Sequence, residues 1–149
     1  MIVDFHTHTF PDQVAEKAIK KLSTNAKITP FRDGTLDSLR VSMKNGGIDY
    51  SVILPVATSA KQVDGLNALS ASLNGKNGLF LAGAIHPDIE NIDAVLDSIK
   101  AAVLFGIKLH PDYQNIRFDD ERYIRIMEAA AKRGLITVTH AGVDLAYPD

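Results

Sequence analysis

The sequence predicts an α/β fold built on parallel strands, and three observations lead there. Short apolar runs recur along the chain, segments of helical periodicity separate them, and all 5 histidines fall at or just past the carboxyl ends of the runs. Alternation of strand and helix implies a parallel sheet with right-handed crossovers. Val, Ile, Leu and Phe dominate the runs, as strands covered on both faces require.

Taken in order, Ile2 to His6 reads as the first strand. Gln13 to Leu22, introduced by Pro11-Asp12, reads as a helix. The polar stretch Ser23 to Gly34, with Pro30 and Gly34, reads as a loop that, with this extra helix, covers the first strand's carboxyl end. Thr35 to Lys44 carries Leu36, Leu39 and Met43 on one face and stops at Gly46-Gly47. Tyr50 to Pro55 is the second strand, Val63 to Leu73 a helix, and Leu79 to His86 the third strand. Ile92 to Ala101 spaces Ile92, Val95, Leu96 and Ile99 by three and four, a helical stripe. Val103 to His110 is the fourth strand. Asp119 to Arg133 opens on acids and closes on Lys132-Arg133-Gly134, which suits the helix dipole and a left-handed closing residue. Leu135 to His140 is the fifth strand. Phe10-Pro11-Asp12, His86-Pro87-Asp88, His110-Pro111-Asp112 and Tyr147-Pro148-Asp149 repeat a pattern that reads as punctuation between strand and helix. Asp88 and Asp112 stay candidates because a histidine precedes each triplet's proline.

At 149 residues the chain holds one well-buried core and is too short for two ordinary domains, so residues 1–149 are expected to form a single domain. A net charge of −2 argues against a nucleic-acid partner, and Lys17, Lys20 and Lys21 read as a solvated helix face. No apolar run approaches the roughly 18 residues of a membrane span. Cysteine is absent, which excludes disulfides and thiolate chemistry. The first strand follows Met1 directly, leaving no room for a signal peptide, and a cytoplasmic location is expected.

His6 and His8 stand two apart on an extended segment, a spacing that points both rings to one face. Two such imidazoles can converge on one ion; hydrogen-bonded core histidines are the other reading. Asp4 shares their parity and is expected to orient a ligand from below. In a sheet curved into a barrel, His140 would face the first strand and supply a third ligand. Three protein ligands and one open position is the usual catalytic zinc arrangement. Lys108 and His110 share one face of the fourth run, where a buried lysine needs an acid or substrate as partner. His86 occupies the same place on the third run. Either histidine can shuttle protons, bind substrate or simply pack.

Asp4-Phe5-His6-Thr7-His8, Gly106-Ile107-Lys108-Leu109-His110-Pro111 and Thr139-His140-Ala141-Gly142, in that order, resemble the amidohydrolase superfamily. The branch most similar is the amidohydrolase-related group that includes aminocarboxymuconate-semialdehyde decarboxylase. The resemblance implies a (β/α)8 barrel of TIM type holding a divalent metal, most often zinc, with manganese as the alternative. It maps His6, His8 and His140 onto the metal histidines of the first and fifth strands. Some relatives carry a carboxylated lysine near the position of Lys108. The family's sixth-strand histidine and eighth-strand aspartate have no counterpart here, so about five strands of an incomplete barrel, truncated after the fifth, are expected.

The expected activity is hydrolysis of a carbonyl-type small molecule (amide, ester or lactone) by metal-activated water, with any effect of truncation to be measured. Catalytic roles fall to Lys108 and His110, substrate contacts to His86 and Asp112, and support of the ligands to Asp4. Metal-dependent non-oxidative decarboxylation of an unsaturated or aromatic acid is the alternative. A non-catalytic barrel fragment acting as a binding or assembly module is the third reading. Five apolar parallel strands leave two open edges, so self-association or a missing carboxyl-terminal half is expected to cover them. Neither nucleic acid nor membrane is an expected partner.

Overall fold

A computed structural model describes residues 1–145 of the chain. Its elements run β1 (Val3–Thr7), α1 (Asp12–Ala26), α2 (Leu36–Gly46), β2 (Tyr50–Ile53), α3 (Val63–Leu73), β3 (Leu79–Leu81), β4 (Gly83–Ala84), α4 (Ile92–Ala101), β5 (Gly106–Leu109), α5 (Pro111–Gln114), α6 (Glu121–Lys132) and β6 (Ile136–Thr139). A short 3-10 turn, Ala60–Gln62, leads into α3. Tyr147-Pro148-Asp149, the last of the repeated triplets, lies outside the described residues.

Every strand pairing is parallel, in the orders β1-β2-β3 and β4-β5-β6. The third apolar run therefore serves both ladders, its first half paired with β2 and its second half with β5. Ala82 lies between the halves and still donates its amide to the Ile53 carbonyl at 3.1 Å. The result is the α/β, TIM-barrel type of sheet expected, carrying the first five strand positions of an incomplete barrel.

Three helices, α2, α4 and α6, start where a side chain accepts an orphan amide. Thr35 accepts from Ser38 at 3.1 Å, Asn91 from Ala94 at 3.0 Å, and Asp120 from Arg122 at 2.9 Å. They end on left-handed residues, among them Gly47 (φ 63°) and Gly134 (φ 70°). Gly106 has a different reason. A Cβ there would lie 2.1 Å from the Ile136 carbonyl oxygen, so only glycine lets β5 and β6 approach.

Burial divides by face. Ile53, Leu79, Leu81, Ile107 and Leu109 join Leu96 and Ile99 of α4 and Tyr123 and Ile126 of α6 in the main core. Val52 and Leu54 alternate with Ile53 and pack on the opposite face with Ala82, Phe105 and Val138.

Several boundaries differ from expectation by a residue or two, and three differences matter for the site. Helix α1 continues to Ala26, so the polar loop is shorter than Ser23 to Gly34. The fourth strand begins at Gly106, because Val103 and Leu104 donate their amides back to Lys100 and Ile99 and finish α4 instead. Helix α5 directly follows His110, its proline in the first turn where the missing N–H costs nothing.

Candidate metal centre at the carboxyl ends of the strands

Strand β1 sets the first two donors. Thr7 is 8% exposed and its hydroxyl donates to the Val52 carbonyl at 2.8 Å, which ties that side chain into the sheet. The flanking His6 and His8 project the other way. Their Nε2 atoms lie 3.1 Å apart and their rings meet edge to face, at 65° with centroids 5.0 Å apart. Two nitrogens bound tetrahedrally to one ion at about 2.0–2.1 Å would be roughly 3.3 Å apart. The pair is close to that separation.

The hydrogen bonds assign the tautomer. His8 Nδ1 donates to the Leu54 carbonyl at 2.8 Å, and since a carbonyl only accepts, the ring proton sits on Nδ1. The lone pair on Nε2 then faces His6. Desolvation first, then electrostatic repulsion from His6, Lys108 and His140, bring the His8 pKa down to about 4, against the opposing pull of the Leu54 bond. The pKa of His6 is lowered by desolvation, Lys108 and His140, with Asp4 opposing. Both rings are neutral at pH 7 and able to donate.

The opposite side of the mouth comes from β5 and β6. Lys108 is fully buried, and its Nζ has no hydrogen-bond partner among the described residues. Burial lowers its pKa. His110, 5% exposed, stacks on His140 with centroids 4.3 Å apart and planes 7° apart. Desolvation first, then His140 and Lys108, bring the His110 pKa to about 4, while Asp144 and Asp112 oppose the shift. His110 Nε2 lies 3.5 Å from Asp144 Oδ2. His140 Nε2 is buried and has no partner among the described residues, a donor left open.

The structure therefore brings His6 to His8, and His140 to His110 and Asp144. His140 is near enough to shift the charge balance of both His6 and His8. The ligand atoms of His110, His140 and Asp144 lie within 4.8 Å of one another. That trio is nevertheless a poor chelator in this arrangement. Parallel stacked rings present their nitrogens side by side, whereas His6 and His8 bring their Nε2 atoms within 3.1 Å of each other, a contact that also suits a hydrogen bond between the rings.

Asp4 touches the site differently from the simple alternation. The β1–β2 register shifts between Asp4 and Thr7, and Asp4 Oδ1 accepts from the His6 backbone amide at 3.3 Å. It holds the chain of His6 rather than its ring. His86 is buried, and its Nδ1 accepts from the Asp88 amide at 3.2 Å, which leaves the ring proton on Nε2. Desolvation lowers its pKa, opposed by Asp88 and aided by Arg122. Asp88 itself pairs with Arg122 at 2.7 Å. Asp112 lines a cleft of about 340 Å³ with Pro111, Phe118, His140, Ala141 and Gly142.

Four contributors had no sequence signal. Asp144 follows the last strand without a pattern, Tyr113 stacks on His110 at 4.0 Å, and Gln114 and Tyr123 form a buried hydrogen bond behind it. Tyr113 and Gln114 lie in the short helix α5, Tyr123 on the buried face of α6, and nothing in the helical period says that these side chains meet at His110. A weak clue was the polar Gln114 four residues after His110, one helical turn on.

The residues present fit a divalent cation of borderline softness: the neutral imidazoles of His6 and His8, one tautomer fixed by a carbonyl, and a buried ring nitrogen of His140 without a partner among the described residues. No curated protein sequence matches the chain. Among solved structures, an amidohydrolase II aligns at TM-score 0.71 with 18% identity, covering 97% of this chain and 52% of its own. The 5-carboxyvanillate decarboxylase of Novosphingobium aromaticivorans, solved with bound manganese, aligns at TM-score 0.71 with 13% identity over 96% of this chain and 51% of its own. A probable 2-pyrone-4,6-dicarboxylic acid hydrolase of Acinetobacter baumannii aligns at TM-score 0.57 with 16% identity over 94% and 49%. The chain thus spans about half the length of the structures it matches. Among the described residues no helix is long and apolar enough to cross a membrane. The amidohydrolase family profile matches residues 3–148, nearly the whole length, and the chain belongs to that family.

Proposed function

We propose that this chain builds the metal-binding side of an amidohydrolase active site that hydrolyses a carbonyl-type small molecule. The observation that carries the reading is the pair of Nε2 atoms 3.1 Å apart, with the His8 proton held on the far side of its ring by Leu54. His6, His8 and His140 would hold the cation, zinc or manganese. Such an ion supplies Lewis acidity, polarising a carbonyl oxygen and bringing the pKa of a coordinated water toward about 7.

The chain's own residues do the rest. Leu54 fixes the His8 tautomer, and Thr7 locks the strand between the two histidines. Lys108 presents a buried amine whose missing partner is a polar or anionic substrate group. His110, neutral at pH 7, can accept a proton at Nδ1, the nitrogen without a partner among the described residues. His86 and Asp112 flank the mouth as substrate contacts.

A second reading is non-oxidative decarboxylation of an unsaturated or aromatic acid. It draws on the structurally similar decarboxylase with manganese and on Lys108, which has no partner among the described residues and suits a carboxylate. Elemental analysis of chain purified without chelator should find about one equivalent of zinc or manganese, lost in His6→Ala. A metal-free protein unchanged by that substitution would sink the reading. Incubation with paired candidate substrates then separates the reactions, since only decarboxylation releases carbon dioxide.

A further inference from the structure

One polar side chain behind the site has every hydrogen-bonding position used. Gln114, 5% exposed, ends α5. Its Nε2 donates to the carbonyls of Ala57 at 2.9 Å and Ile85 at 2.7 Å. Its Oε1 accepts from the His110 amide at 3.2 Å and from the Tyr123 hydroxyl. Two donors and two lone pairs are thereby satisfied in a buried place, where a half-satisfied amide would be costly.

The four partners are not a random set. Ala57 follows β2, Ile85 follows β4, and His110 follows β5, so one amide gathers the carboxyl ends of three strand positions. His110 is gripped twice, because its own carbonyl also accepts the Gln114 amide at 3.0 Å. Its ring lies between Tyr113, 4.0 Å away and 5° from parallel, and His140, 4.3 Å away and 7° from parallel. Displacing the His110 backbone would tilt this stack, and the stack is what faces the ring of His140.

We infer that Gln114 is a positioning residue for the site, setting the ring plane of His140 through the backbone of His110. Its effect on metal affinity rests on the metal-centre reading above; its effect on the stack does not. Groups hydrogen-bonded directly to a metal ligand typically change metal affinity by about 10–100-fold, and Gln114, acting one contact further away, should reach no more than the lower end of that range.

The test uses the full chain without metal. Proton NMR reads the His110 ring signals, which two flanking rings shift upfield. Gln114→Met removes the amide at nearly constant length and should abolish at least half of that shift. Tyr123→Phe removes only the hydroxyl bond to Oε1 and should abolish a smaller part. Ile126→Val, a core control of the same helix, should lower thermal stability while leaving the ring signals in place. Cobalt titration should then show about a 10-fold weaker affinity for Gln114→Met. Wild-type ring shifts in folded Gln114→Met would overturn the inference, as would a loss no larger than that of the core control at equal destabilisation. If Gln114→Met fails to fold, Tyr123→Phe decides on the same criterion. Failure of the unaltered chain to bind cobalt would refute the metal centre alone, and the ring shifts would still decide the role of Gln114.

Discussion

The two faces of this sheet carry similar residues under opposite conditions. Toward the helices, Ile53, Leu79, Leu81, Ile107 and Leu109 are at most 3% exposed. On the other face Val3, Phe5, Tyr50, Phe80 and Ile136 are 37–56% exposed, although Tyr50 and Phe80 already touch each other, as do Phe5 and Phe105. The helix-side core is completed by the described residues and carries the stability. The opposite face is covered around Val52, Leu54 and Ala82, and the described residues leave the rest of it, where the site lies, exposed.

The sharpest break of that comparison is a pair of truncations. Leu96→Ala, at a position with 0% exposure, should cost about 2–5 kcal/mol, a large share of the stability of a typical domain. Phe80→Ala, at 44% exposure, should cost less than about 1 kcal/mol. Urea titrations of the two variants measure both, and equal losses would mean the uncovered face is part of the folded core after all.

Next in size is the pH dependence of the metal-free chain. His8 and His110 have folded pKa values lowered from 6.5 to about 4. Between those values the unfolded chain binds protons that the folded chain refuses, so stability rises with pH. It is therefore fully present above about pH 6.5 and lost as the pH falls toward 4, with no further loss from these groups below that. For the buried His110 the loss is on the order of 3 kcal/mol at most. The urea midpoint should drop between pH 7 and pH 4.5, and His110→Asn should flatten the slope. A midpoint that rises on acidification would show that these rings are not desolvated.

The asymmetry between the faces also explains what could be read from sequence. Strand and helix periods come from the helix-covered face, where Leu96, Ile99 and Ile126 repeat at turns of the helix, and those elements stand where the pattern put them. The strand-end histidines were legible because residue type and position are both visible in a linear chain. The fourth strand was drawn too long because Val103-Leu104-Phe105 has strand composition, while the amide bonds that bend it back to α4 leave no mark in composition. Gln114 and Tyr123 meet across 9 residues, and Gln114 reaches Ala57 across 57, so only the folded chain reveals them. Asp4 marks another limit, since the register shift between Asp4 and Thr7 leaves no trace in composition.

A smaller effect tests what covers the exposed face. Among the described residues β1 and β6 each pair on one side only, and open edges beside an apolar face favour association with a second copy of the chain. Sedimentation velocity should show association that grows with concentration, and Phe5→Ser with Phe80→Ser should weaken it without moving the urea midpoint by more than about 1 kcal/mol. A chain that stays monomeric at high concentration would remove the second copy as the cover.

The smallest expected effect lies at the end of α4, and the helix ends make their own control. Gly47 and Gly134 close α2 and α6 in the left-handed region, each donating its amide to the carbonyl three residues back while the next residue reaches five back, to Met43 and Ala130. Val103 closes α4 by the same two bonds, to Lys100 and from Leu104 to Ile99, at φ 57° and 79% exposed. A β-branched side chain there costs roughly 1–2 kcal/mol, and the extra freedom of glycine in the unfolded chain returns part of that. Val103→Gly should therefore stabilise the chain by about 1 kcal/mol and raise Tm by about 2–4 °C in differential scanning calorimetry. Gly47→Val, where an added Cβ meets no neighbour within 4 Å, should lower stability by a similar amount from backbone strain alone. If Val103→Gly instead lowers Tm, Val103 packs against something beyond the described residues, and the helix-covered side is less complete than the comparison holds.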